Sequence, residues 1–445
     1  MALRLSNNIT AAIIHRFRHS SARHTLITNV TQQICAALIL LYLPNILGKT
    51  DYAQVVYVSV LLSFAFFADA GISMAYRRVV PALLAQNNRD EVDIWNNTTL
   101  VFGFMASAVY SLVIALLYYL RYGDALNTLL LLPVPFVVCW FSYHITRTTA
   151  AGDFNIYRQV NSWRSIASLI VFPLAFMYGL AGWFIATLAA AVIALFSLGR
   201  QLFQPVGKLH WALIRGHLSE GLMLSSTSVL WMQLLNFARL YASVRYSAED
   251  IATYGIVSAA YQSLSTLIIS VFLPVTVGLY RRYGESEEKA LAFASHIIAR
   301  SLPLVMAVTV LAIATAPTVF HFCFPTYHFD NVLLVTMLLG IVFYPFIMVY
   351  RGLMIARKHS GQFLVVVVSG MAISFLCSLL TDGYHPAHGA AWGQLVGIMS
   401  YTLLLFFVIS YDAGEQARIV WRSQARYLGG AFALCAAVIG VWAII

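Results

Sequence analysis

Long apolar runs alternate with short polar, arginine-bearing breaks along the whole chain. The stretch Leu47–Arg78 shows the unit of this pattern. It opens on the polar turn Gly48-Lys49-Thr50-Asp51 and enters an apolar run from Val55 to Ala68. That run, with its flanks, is long enough to cross a hydrocarbon core of about 30 Å. One acid, Asp69, sits inside it, and the arginine pair Arg77-Arg78 closes it. Thirteen apolar segments are expected, near 25–47, 53–78, 97–120, 126–146, 161–179, 181–200, 219–243, 252–280, 299–317, 331–350, 362–380, 388–410 and 426–445. The fold class is therefore an all-α membrane protein of about thirteen transmembrane helices.

Composition narrows the class. Of 445 residues, 60% are hydrophobic and 10% charged, against roughly a quarter charged in soluble domains. The mean hydropathy is +0.79. The runs are too long and unbroken for an outer-membrane barrel, whose strands alternate over about ten residues. The net charge of +10 reflects basic cytoplasmic loops, not nucleic acid. With the N-terminus in the cytoplasm, cytoplasmic segments and helix ends receive 23 of the 27 Lys and Arg residues. Outer loops receive only Lys49, Arg121 and Arg245, which fixes the orientation by the positive-inside rule. Residues 1–24, basic and acid-free, read as an amphipathic segment on the cytoplasmic leaflet.

The two halves resemble each other. Thr25, Thr28 and Gln33 match Ser225, Ser228 and Gln233; Asp51-Tyr52-Ala53 matches Asp250-Ile251-Ala252; Arg147 matches Arg351; Ala181-Gly182-Trp183 matches Ala390-Ala391-Trp392. A duplicated six-helix unit enters twice from the same side, so its copies are expected around an axis along the membrane normal, with a cavity between them. The expected division is 25–203 for the N-lobe, 204–218 for a cytoplasmic linker, 219–411 for the C-lobe, and 412–445 for a linker and an additional helix.

Several residues carry candidate chemistry. Asp69 is the acid that lies well inside a span; a carboxylate there needs a partner or a wet cavity. A proton or sodium site, a salt bridge with Arg77 about 12 Å along a continuous helix, and a polar cavity wall are all open readings. The seventh span carries Ser225, Ser228, Asn236, Arg239 and Ser243 at helical spacing, with Gln233 nearby. This stripe reads either as a hydrated wall or as helix–helix hydrogen bonding, and Arg239 either as a cavity charge or as a snorkelling side chain. Arg77, Arg78, Arg147, Arg300 and Arg351 lie at cytoplasmic helix ends, as orientation anchors or as a ring that recruits a phosphate headgroup. Gly48-Lys49-Thr50 lacks the rest of a phosphate loop, and His321, His328, His385 and His388 have no convincing metal-ligand spacing, so no metal is expected. The five cysteines are scattered and form no disulfide framework.

The second-span pattern, Arg147 ending the fourth span, and Ala181-Gly182-Trp183 together resemble the polysaccharide biosynthesis (O-antigen-type) flippase family of the superfamily that includes multidrug and lipid II exporters. The resemblance covers residues 25–410. It implies two six-helix lobes around a cationic cavity, and alternating access that moves undecaprenyl-pyrophosphate-linked oligosaccharide from the inner to the outer leaflet of the bacterial cytoplasmic membrane. It carries the family's cavity charges onto Asp69 and Arg239, and onto Arg147 and Arg351. Asn236, Gln233, Ser228, Gln33 and Asn29 are expected beside them as polar groups lining the cavity. Its implied partners are the polyprenyl-pyrophosphate-linked sugar, membrane lipids, a polysaccharide polymerase and a chain-length regulator. No cofactor is expected, with H+ or Na+ coupling open. Family members commonly have twelve or fourteen spans, so the thirteenth departs from the pattern. An ion-coupled small-molecule antiporter of the same fold is the alternative. A polymerase or ligase is disfavoured, because the outer loops are short.

Overall fold

The computed structural model describes residues 21–199, 207–357, 359–384, 388–411 and 417–444. The expected leaflet segment lies outside the described residues except for 21–24, as do Arg200 and His385. All regular structure among the described residues is helical. Eight stretches are long and apolar enough to cross a membrane, and this is a multi-pass membrane protein. Of the eight, Ile27–Ser63 holds the first expected span and the start of the second, and Phe154–Phe196 the fifth and most of the sixth, each pair joined through a glycine with left-handed backbone: Gly48 at φ 73° and Gly179 at φ 57°. A glycine fits there because a Cβ disfavours positive φ.

Contacts divide the chain into two units. The first holds the described residues up to Ile46 together with Leu61–Leu222. The second holds Leu47–Val60 together with the described residues from Met223 onward. This differs from the expected lobes: 47–60 groups with the second unit, and 211–222 with the first. Residues 211–218, expected as linker, are the first turns of a helix.

The first unit contains the initial part of α1 (Ser21–Ser63), then α2 (Ile72–Ala85), α3 (Arg89–Tyr122), α4 (Ala125–Leu131), α5 (Pro133–Ala150), α6 (Phe154–Ala167), α7 (Val171–Phe196) and the start of α8 (Trp211–Leu235). The helices begin where the sequence supplies caps. Asn88, Asp124 and Asp153 each accept a backbone N–H in the first turn of α3, α4 and α6. Gly123, at φ 67°, ends α3. Helices run past the expected apolar limits because these polar capped turns extend out of the apolar slab; α3 starts at Arg89, not 97.

The second unit contains the end of α8, α9 (Phe237–Arg245), α10 (Ala248–Glu285), α11 (Glu287–Cys323), α12 (Asn331–Leu339), α13 (Tyr344–Ala356), α14 (Ser360–Asp382), α15 (Gly389–Tyr411) and α16 (Ala417–Ile444). Ser247, Ser286 and Asp330 cap α10, α11 and α12. The thirteenth expected span is thus the helix α16. Helices α14 and α15 meet backbone to backbone. A Cβ on Gly393 would lie 1.9 Å from Ser378 Oγ, and one on Gly397 1.7 Å from Ser374 Oγ. Small residues four apart permit this close approach, the usual source of helix adhesion where burial from water contributes little.

Candidate functional site

The second span is not one helix. Phe64 leaves α1, residues Ala65–Phe67 make a 3-10 turn, and Ala70 (φ 49°) and Gly71 (φ 80°) take left-handed backbone before α2 begins. Starting α2 inside the apolar layer strands its first N–H groups, and water is scarce there. Asp69 answers this need. Its Oδ1 accepts from Gly71 N–H and its Oδ2 from Ser73 N–H, both at 3.0 Å. A carboxylate also suits the positive end of the half-helix dipole. The continuous helix expected over 53–78, with Asp69 set along one axis from Arg77, is corrected by this break. The turn is closely packed. A Cβ on Gly221 of α8 would lie 2.7 Å from the Gly71 carbonyl oxygen, so only glycine lets the two backbones approach.

The carboxylate also lines a cavity of about 210 Å³ within the first unit. Its walls come from α2, α3, α5 and α6. Polar atoms are offered by Asp69, Ser73, Arg77, Thr99, Ser107, Ser142, Thr146 and Arg164, set beside Phe104 and Trp140. Arg77 donates from Nε and Nη2 to Thr146 Oγ1, at 3.3 and 2.9 Å. Arg164 lies with its guanidinium carbon 4.4 Å from the Phe141 ring centroid. Two arginines and one carboxylate thus line one space, which is smaller than the roughly 300–1,000 Å³ of drug-sized pockets. Its size suits an ionic group and its waters, not a whole large ligand.

The structure sets Asp69 and Arg77 on one cavity and adds Arg164, which the sequence reading counted with the cytoplasmic basic residues and did not single out. The available signal was the helical spacing of Tyr157, Asn161, Arg164, Ser165 and Ser168. Arg78 points elsewhere, to an ion pair with Glu220. Asn29 and Gln33 are half-buried on α1, where Gln32 Nε2 donates to Asn161 Oδ1 at 3.3 Å. Arg147 is half-buried on α5.

In the second unit the seventh span is also broken. Asn236 ends the α8 run, and α9 restarts with Ala238 N–H donating to Gln394 Oε1 at 2.9 Å. Asn236 accepts from Gln262 Nε2. Gln233 is buried and Ser228 half-buried. Arg239 donates to the Val56 carbonyl at 3.3 Å, so it tethers the 47–60 segment to the second unit. Val56 fills the notch left by Gly255, where a Cβ would come within 2.1 Å of it. Outside the apolar layer the same segment is held by the Lys49–Glu249 ion pair. The ammonium beside Glu249 holds its carboxyl below the usual glutamate range. Arg300 is exposed on α11, and Arg351 sits on α13 among aromatic rings.

No protein-family model and no curated protein matches the chain. Solved structures do. An inward-facing multidrug resistance MATE family transporter of the MOP superfamily superposes with TM-score 0.68 at 15% identity, over 89% of this chain and 95% of its own. The eukaryotic MATE transporter AtDTX14 gives 0.65 at 14% identity, over 92% and 96%. A point mutant of the Vibrio cholerae MATE transporter VcmN gives 0.59 at 14% identity, over 93% and 97%. The chain has the fold of these transporters.

Proposed function

We propose that this chain is a transporter working by alternating access, and that the cavity of the first unit holds the charged part of its cargo or its coupling ion. The carrying observation is the cluster of Asp69, Arg77 and Arg164 around one polar space inside an apolar bundle. Ionisable groups at such depth are costly and mark pathways for ions or substrates.

Two cargo readings divide on charge. The excess of guanidinium supports an anionic cargo, the polyprenyl-pyrophosphate-linked oligosaccharide, flipped across a bacterial cytoplasmic membrane for a polymerase and a chain-length regulator. The solved structures favour the other reading, ion-coupled antiport of small molecules, since the first neighbour is described as a multidrug transporter. In that reading Asp69 is the coupling carboxylate for H+ or Na+.

Purified protein in proteoliposomes separates them. One arm follows flipping of a labelled polyprenyl-pyrophosphate oligosaccharide; the other follows uptake of a cationic dye under a pH gradient. Lipid flipping that falls at least tenfold in Arg164→Gln supports the first reading. Dye transport without flipping supports the second. Neither activity, in protein that is folded and inserted, sinks the transporter reading.

A further inference from the structure

Arg351 in the second unit has a cation's surroundings with no anion among the described residues. Its guanidinium carbon lies 5.6 Å from the Trp231 ring centroid and 5.9 Å from that of Phe363. These rings come from α8 and α14. A third ring, Tyr401 of α15, packs on both: its centroid is 5.1 Å from Trp231 and 6.4 Å from Phe363. Gly370 lets Tyr401 come this close, since a Cβ there would lie 3.1 Å from the Tyr401 Cβ. The guanidinium is thus set in place by rings from three other helices.

Two hydrogen-bonding groups in this cluster are unused. Arg351 Nε and the Tyr401 hydroxyl are buried and have no hydrogen-bond partner. No carboxylate of a described residue lies within ion-pair distance of Arg351. Ring faces attract the cation but do not fully satisfy the Nε–H, so among the described residues a positive charge and two buried donors, the Arg351 Nε–H and the Tyr401 O–H, face no acceptor. The neighbouring Arg357 shows the alternative: it is paired with Glu287 and donates to the Ile409 carbonyl at 3.0 Å. What the Arg351 cluster lacks is one group with negative charge and several acceptor atoms.

We propose that Arg351, Trp231, Phe363 and Tyr401 build a binding site for a phosphate oxyanion, held by the guanidinium and the Tyr401 hydroxyl. A phosphate has acceptor oxygens enough for both donors, and its pairing with guanidinium is strong and directional. The charge count assigns this end of α13 to the cytoplasmic side, where lipid phosphates lie. The phosphate therefore comes either from a lipid headgroup or from solution. The site lies within the second unit, and it deepens the sequence-based reading of Arg351 as part of a ring that recruits phosphate by naming the rings and the hydroxyl that would build it.

The test uses the full chain in maltoside detergent, which carries no phosphate. One arm titrates inorganic phosphate and follows heat; the other adds phosphatidylglycerol and counts retained lipid by native mass spectrometry. Saturable binding in the first arm identifies free phosphate as sufficient. Binding only in the second identifies a headgroup. In either case Arg351→Gln is expected to weaken binding at least tenfold, and Tyr401→Phe several-fold. Tyr401→Phe keeps the ring and removes one donor, so it remains informative if the arginine variant does not fold. Absence of binding in both arms, or binding unchanged in both variants, overturns the proposal.

Discussion

Replacing Asp69 separates two roles that one carboxylate combines. As a cap it accepts from Gly71 and Ser73 N–H. Asp69→Ala removes both bonds, and loss of a helix cap costs about 0.5–2 kcal/mol. The half-buried site, open to a polar cavity, lets water replace part of that loss, so about 1–2 kcal/mol is expected. Asp69→Asn keeps one acceptor oxygen and should cost about half as much. Since about 1.4 kcal/mol is a factor of ten in a local opening equilibrium, amide exchange over residues 71–75 should rise roughly 5- to 30-fold in the Ala variant and a few-fold in the Asn variant. The same Asn variant cannot take up and release a proton. In proteoliposomes its transport should therefore lose dependence on an imposed pH gradient while the protein stays folded. Unaltered exchange over 71–75 in Asp69→Ala would refute the cap. Gradient dependence that persists in Asp69→Asn would leave the cap as its only role.

Three other outcomes are expected. Gly397→Ala should destabilise the second unit by about 1–3 kcal/mol through overpacking, and Ser374→Gly should rescue it, because Ser374 is what the new methyl meets; thermal unfolding of the single and double variants decides this, and absence of rescue counts against the contact. The Glu249 carboxyl is held down by Lys49, so its contribution to docking Lys49 is present at neutral pH and is lost as pH falls through the lowered value, below the usual glutamate range; faster amide exchange near Lys49 on acidification, absent in Glu249→Gln, is the expected signature. Reporters fused after Gly123 should be active outside the cytoplasm and those fused after Gly152 inside it; the reverse would overturn the orientation drawn from the basic residues.

The spans were legible in the sequence because each is a long apolar run, and the charge alternation supported the count. What escaped was every place where a helix stops inside the apolar layer. Phe64–Gly71 reads as apolar throughout save for Asp69, and no pattern of hydropathy marks a turn whose cause is left-handed backbone at Ala70 and Gly71. Asp69 was recognised as an anomaly, yet its cap role depends on that turn. Asn236 was placed on a continuous stripe, whereas it ends a helix whose continuation relies on Gln394, 156 residues from Ala238 in sequence. Arg164 was only counted among the cytoplasmic basic residues and was not singled out; the helix Phe154–Ala167 carries it to the cavity wall. The Gly389, Gly393 and Gly397 spacing was available in the sequence and went unread.

That glycine spacing bears on how the chain is made. Along Gly389, Gly393 and Gly397, helices α14 and α15 touch through backbone and serine hydroxyls, and further along Tyr401 packs on Phe363 across the same pair, so the two helices adhere to each other directly. They are suited to enter the bilayer together as a hairpin. At its tip, Asp382 accepts from Gly389 N–H within the hairpin, and from the hydroxyls of Tyr241 and Tyr246 on and just after α9. Both tyrosines leave the ribosome well before Asp382. The hairpin then arrives carrying an acid whose two outside donors are already waiting, and its docking partner is specified by the order of synthesis.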